Sequence, residues 1–278
     1  MDLNKMDGLL VLEVIDSNPN GDPDRENAPR QRDNGLGEIS AVSVKRKLRD
    51  LIEFKENNFI WEEVGADLDL DSDEYCIFES PSINRAAAEK LAKNDPDAFL
   101  NKYWDVRVFG TTFAKAEFIR TGPVHFGVGR SVSPIKTLEE TFTKKAPVED
   151  GKKRAMAPQA FKIVEYGIYT VPLFFSPQVA VHTKFRKKDM ELFFKLIPYM
   201  YEHTRSMIRS QINILHTHVG WHSNKTGMFK PTVFQKALTP FNTIYPNEPG
   251  ESIDDFTIPT WGDVKDDFPN VAKYVDII

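Results

Sequence analysis

GLLVLEVIDS, residues 8–17, limits the fold more than any other stretch of the chain. A short apolar run rich in Leu, Val and Ile reads as a buried strand and falls far short of the length of a membrane span. The chain leaves it through NPNGDP, residues 18–23, where Asn, Pro and Gly form a turn. Asp16, Asn18, Asn20 and Gly21 also fit the opening of an EF-hand calcium loop. That loop needs a helix on each side and a bidentate Glu at its twelfth position. Here a strand-like run precedes the loop and Asn27 occupies the twelfth position, so a turn leaving a strand is the better reading.

Helical spacing appears next, in ISAVSVKRKLRDLIEF, with Ser40 as the cap and Val44, Leu48, Leu51 and Ile52 as the core stripe. Lys45 and Arg49 lie one turn apart at the edge of that stripe, with Arg46 further round. Residues 56–119 read as an insertion, acidic at first and then helical near 84–103. DVRVFG, 105–110, alternates briefly and stops at Gly110. A strand is expected in TGPVHFGVGRSVSPI, residues 121–135. Residues 133–161 show no clear period and carry Lys136, Lys144, Lys145, Lys152, Lys153 and Arg154, which predicts a long basic hairpin or loop. A further strand is expected at 162–175. A helix over about 187–209 follows, kinked at Pro198, then a strand at 212–221, and residues 240–278 form a loop-rich acidic segment. The order β-α-(insertion)-β-(basic loop)-β-α-β predicts a single α+β domain over 1–278, ferredoxin-like or resembling an RNA-recognition motif (RRM) with large insertions.

Composition allows a soluble protein with a substantial core: 278 residues, 41% hydrophobic and 28% charged. The single cysteine, Cys76, excludes an internal disulfide framework, and a cytoplasmic protein is expected. The net charge of −5 hides an uneven distribution. Residues 120–230 hold 18 Lys and Arg against 8 Asp and Glu, a net +10, whereas residues 1–119 are at −10 and 231–278 at −5. Such a segment can present a positive stripe to a polyanion, and the acidic parts can serve head-to-tail assembly. Lys45 and Arg49 can meet successive phosphates of one backbone, with Arg30 and Arg46 extending the contact. His216 and His218 share a strand face, which makes a zinc pair geometrically possible with His222 nearby. No nearby cysteine or carboxylate completes the set, so no metal and no cofactor is expected. Asp22 and Asp24 could in principle act as a carboxylate pair, although both sit in a Pro-rich turn, and nothing compels catalysis.

NPNGDPDRENAPR, VKRKLRD, DVRVFG, GPVHFGVGRSVSPI and YEHTRS, in this order, resemble the backbone subunit of type I CRISPR Cascade complexes. That family belongs to the RAMP superfamily, and the likeness is greatest to the subtype I-C (Csd) or I-B (Csh) branch. The resemblance implies a hand-shaped modified RRM fold: a palm, fingers at 56–119 and a thumb at 133–161. It also implies copies that polymerise along a CRISPR RNA guide and present it to a target DNA strand. The partners would be the guide-end cap, large and small subunits and a recruited helicase-nuclease, with no membrane. By this likeness Asn18 and Asn20 lie beside the RNA groove, and Lys45, Arg46 and Arg49 grip guide phosphates. Lys152, Lys153 and Arg154 belong to the thumb, where Met156 is the apolar wedge between bases. Arg107, Phe109, His125, Arg130, His203 and Arg205 fall in the remaining motifs. The branch is non-catalytic; some relatives cleave RNA, and Asp22, Asp24 and His125 would be the suspects for such an activity.

Overall fold

The computed structural model describes residues 3–145, 156–244 and 246–278. Its centre is strand β1 (Met6–Ser17), and nearly every residue of that strand is buried. Leu10, Leu12 and Val14 point into one apolar cluster, and Leu9 and Val11 into another on the opposite face. This two-sided burial explains why the run is continuously apolar rather than alternating.

The remaining elements follow in chain order. β2 (Leu36–Ile39) leads into α1 (Ala41–Glu53), and α2 (Phe59–Asp67) opens the excursion. α3 (Arg85–Asn94), α4 (Pro96–Lys102) and α5 (Trp104–Phe109) continue it, and the hairpin β3 (Gly110–Phe113) and β4 (Phe118–Thr121) closes it. Then come β5 (Val124–Phe126), β6 (Gly129–Pro134), β7 (Thr137–Lys145), β8 (Met156–Phe175), α6 (Lys187–Leu196), β9 (Gln211–His222), α7 (Pro231–Ala237) and β10 (Val271–Asp276). Among the described residues, eight strands form one sheet in the order β10-β9-β1-β8-β6-β2, with β5 and β7 also paired to β8. Every pairing is antiparallel.

α1, α2, α5 and α6 cover one face of the sheet. Val44, Leu48, Leu51 and Ile52 are fully buried there, as the helical spacing requires. Ser40 caps α1 by accepting the Ser43 N–H at 3.2 Å. Phe234, Phe256 and Phe268 cover the other face. The acidic C-terminal segment is therefore built into the fold: aromatic residues spaced among its carboxylates pack on the sheet, and β10 extends the sheet edge.

Three local expectations change. DVRVFG is helical within α5; Gly110, at φ 77°, ends that helix and turns the chain into β3. A Cβ at Gly110 would lie 2.3 Å from the Arg120 carbonyl oxygen, so no other residue fits this turn without displacing backbone. The helix expected near 84–103 is two helices, broken at Asp95–Pro96. Pro198 does not kink a long helix: α6 ends at Leu196 and passes into 3-10 turns, because proline lacks the N–H that the next turn needs. The segment 137–145 does pair with β8, as a hairpin.

The excursion has its own small core of Phe78, Phe99, Tyr103, Phe113 and Phe118. Two buried ion pairs fasten it to the sheet domain. Arg49 of α1 donates from Nε to Asp105 at 2.9 Å, and the same carboxylate accepts the Phe78 and Glu79 N–H groups. Arg107 is 0% exposed and spends its guanidinium on Asp189 of α6 and on the Leu100 and Asn101 carbonyls. Removing one member of such a pair strands a buried charge. Arg107→Ala is expected to lower the free energy of unfolding by about 3–5 kcal/mol in denaturant titrations. Combining it with Asp189→Ala should cost less than the sum of the single changes.

Candidate nucleic-acid interface

The turn after β1 is held by its own side chains. Asn18 is buried and donates from Nδ2 to the Asn27 carbonyl at 2.7 Å and the Lys162 carbonyl at 3.2 Å. Asn20 accepts the Ser40 N–H at 2.7 Å, which joins the turn to the start of α1. Asp22 caps Asp24 N–H and faces Arg30 at 3.6 Å. These groups are spent on local architecture, and a strand rather than a helix leads into the turn.

Beside this turn lies a cleft of about 720 Å³, bounded by α1, by residues 160–162 of β8 and by residues 204–209. Arg30, Arg46, Lys47, Lys162 and Arg209 line it. Three of these cations have carboxylate partners. Arg46 pairs with Asp50 and Glu53, Lys162 meets Glu26 at 2.7 Å, and Arg30 faces Asp22. Lys47 and Arg209 have no carboxylate within ion-pair distance among the described residues. Lys47 is 6% exposed, donates from Nζ to the Thr204 hydroxyl at 3.0 Å and sits over the Tyr201 ring. Burial, with the positive charge of Arg209 adding to it, lowers its pKa to about 8. Two cations without an ion-pair partner among the described residues, one of them partly offset by Asp50, thus line one cleft with a hydroxyl and the first turn of a 13-residue helix, an arrangement suited to a phosphate.

A second groove of about 550 Å³ lies on the other flank of α1 and shares Val42 and Arg46 with the first. Lys45, Arg49, Phe109, Ile119 and Arg120 line it. Val42 is 72% exposed at the crest between the two grooves.

The expected contact residues separate into groups. Lys45 stays half-buried above the Phe109 ring at 5.3 Å, its pKa lowered by burial and by Arg49. Arg49 is 8% exposed and committed to Asp105, so it does not form a phosphate ladder with Lys45. Arg107 is a structural residue with no surface to offer a ligand, because its donors are saturated inside the protein. Phe109 belongs to the core, packed on Trp104 and Phe193. His125 is half-buried, its pKa lowered by burial and by nearby Lys45. Arg130 and His203 are exposed, and exposed Arg205 meets Glu202 at 3.2 Å. Lys152, Lys153 and Arg154 lie outside the described residues, as does the Met156 side chain. Sequence reasoning missed Lys47, Lys162, Thr204 and Arg209. Lys47 is in the same VKRKLRD run as its neighbours, but its role depends on residues more than 150 positions away.

The three histidines separate as well. His222 is buried, with Nε2 at 2.7 Å from Asp7 and Nδ1 accepting the Met228 N–H. His216 and His218 share a face with Asp276, a carboxylate that β10 brings in from the far end of the chain.

Fold and cleft together define an α+β protein with an antiparallel sheet and a cation-lined helical cleft. Residues 4–260 match the family model described as "CRISPR-associated protein Cas7", and the chain belongs to that family. A Haloferax volcanii protein titled "CRISPR-associated protein Cas7" is 27% identical over 205 residues, 60% of this chain and 55% of that one. The chain thus spans about half the length of this curated relative. More distant likenesses are to a chain of a "CRISPR RNA-guided surveillance complex, pre-nicking" and a chain of a "Type III-B Cmr-beta bound to cognate target RNA". The first has TM-score 0.43 and 12% identity, covering 81% of this chain and 83% of that one. The second has TM-score 0.42 and 12% identity, covering 78% and 61%. No helix among the described residues is long and apolar enough to cross a membrane.

A phosphate in the cleft needs Lys47 protonated. With the free-cleft pKa lowered to about 8, binding is fully supported below that value and weakens as pH rises through it. Fluorescence anisotropy with a single-stranded oligonucleotide should show affinity falling several-fold between pH 7 and 9. Lys47→Arg, which keeps its charge across this range, should abolish the dependence.

Proposed function

We propose that this chain is a non-catalytic, guide-holding backbone subunit of a type I Cascade surveillance complex. It binds CRISPR RNA through the cleft beside α1, polymerises along it and presents it to a target DNA strand. The observation that carries the reading is the Lys47–Arg209 pair, without an ion-pair partner among the described residues, in the cleft beside α1; membership of the Cas7 family supplies the biological setting. The strands that bracket α1 and α6 lie in the order fourth, first, third, second (β9-β1-β8-β5/β6), which supports an RRM-like, ferredoxin-like palm. On this reading the small aromatic core of 56–119 is the fingers, and the β7–β8 hairpin is the stem of the thumb.

Arg30, Arg46, Lys47, Lys162 and Arg209 are the phosphate contacts in the first groove. Lys45 and Arg120 continue the track in the second, and Asn18 and Asn20 position the turn. Such contacts hold backbone and leave sequence to base pairing. Neighbouring copies, the guide-end cap, large and small subunits, and a helicase-nuclease are the partners that this role requires.

Lys47→Glu with Arg209→Glu should weaken binding to unrelated single-stranded RNAs alike. It should also reduce the slope of log affinity against log salt by about 0.7 for each lost contact. A loss confined to one RNA sequence would contradict a backbone reader. Incubation with end-labelled precursor RNA tests the alternative, a RAMP-type endoribonuclease. Intact RNA is expected; processing that disappears in Asp22→Ala or His125→Ala would replace the scaffold reading.

A further inference from the structure

The sheet edge formed by β9 and β10 carries a polar cluster that guide holding does not use. His216 and His218, two residues apart on β9, project from the same side of the strand. β10 pairs with β9 so that Asp276 stands opposite His218. One donor atom from each of the three lies within 4.8 Å of the others. The two imidazoles stack at 4.9 Å with 17° between their planes.

Asp276 is already aimed. Its Oδ1 accepts the Thr217 N–H at 2.9 Å, and its Oδ2 lies 2.7 Å from His216 Nδ1. His218 is fully buried. Its Nδ1 is 2.7 Å from the Tyr274 hydroxyl, and its Nε2 has no hydrogen-bond partner. A metal-ligating imidazole gives one nitrogen to the ion and its other to a fixed oxygen. Tyr274 is such a fixed partner, since its ring stacks on Trp261 at 4.5 Å and 5°. A buried nitrogen left unpaired is costly unless a ligand satisfies it.

We propose that His216, His218 and Asp276 form a divalent-cation site that fastens the C-terminal strand β10 to β9. Two imidazoles and one carboxylate suit zinc or a first-row ion of similar character. Bonds of about 2.0–2.1 Å put ligand atoms about 3.3 Å apart, so the cluster must tighten slightly around the ion. His216 and Asp276, whose side chains are 27% and 25% exposed, have room to rotate, and they exchange their mutual hydrogen bond for the ion. The exposure of these two residues leaves a further coordination position open to solvent. His222 stays outside the site, held by Asp7.

Calorimetric titration of Zn²⁺ into the chelator-treated full chain tests the site. One equivalent should bind and raise the unfolding temperature. His216→Ala and Asp276→Asn, both at partly exposed positions, should each weaken binding at least tenfold and abolish the thermal shift, with unchanged circular dichroism. Co²⁺ in place of Zn²⁺ should give d–d absorption that disappears in His218→Ala. Failure of the unmodified chain to bind stoichiometrically, or equal binding by the His216→Ala/Asp276→Asn protein, would overturn the site. Oligonucleotide affinity, read separately, tests the guide-holding cleft and does not bear on this one.

Discussion

Two buried guanidinium–carboxylate pairs, Arg49–Asp105 and Arg107–Asp189, determine how this chain is put together. Their acidic and basic members alternate along α5 and reach in different directions, one to α1 and one to α6. The 56–119 excursion is thereby fixed to α1 and α6, two of the helices that cover the sheet. Charges this deeply buried need further hydrogen bonds beside their partner: Asp105 also accepts two backbone N–H groups, and Arg107 also donates to two carbonyls. Cations that would otherwise belong to a binding surface are thus consumed inside the protein. The helix keeps Lys45 in the groove on one flank and Lys47 in the cleft on the other.

That division was only partly legible in the sequence. β1, the Ser40 cap and the stripe of Val44, Leu48, Leu51 and Ile52 follow from local apolar periodicity, and the structure carries them as expected. A charged residue has no such local signature. Arg49 and Lys47 are two positions apart with the same charge, yet one meets a carboxylate 56 residues away while the other donates to a hydroxyl 157 residues away. DVRVFG looked extended because six residues are too few for alternation and helical spacing to differ. The C-terminal segment looked loose because its acids outnumber its aromatics, although Phe256, Phe268 and Tyr274 decide where it packs.

The electrostatics of the cleft follow from the same long-range pairing. Arg46 and Lys162 are largely neutralised by neighbours, so the count of positive residues overstates the field they present. Arg209 stands close enough to add to the burial that disfavours the charge of Lys47, and Asp50 offsets part of this. Family membership rests on the whole span of residues 4–260 rather than on any one cation.

β8 has one further mechanical property. Its inner part pairs with β1 at the middle of the sheet, and at Val164 it passes to β7, with which it continues alone to Met156. Beyond the Asn18–Lys162 contact, the six residues Met156–Phe161 at about 3.3 Å each extend a two-stranded rod by roughly 20 Å. No break in the strand separates this rod from the sheet interior. A push or pull applied at the outer end therefore acts as a lever on the central strand pair, so contacts made far from the body of the molecule are felt at its stiffest point.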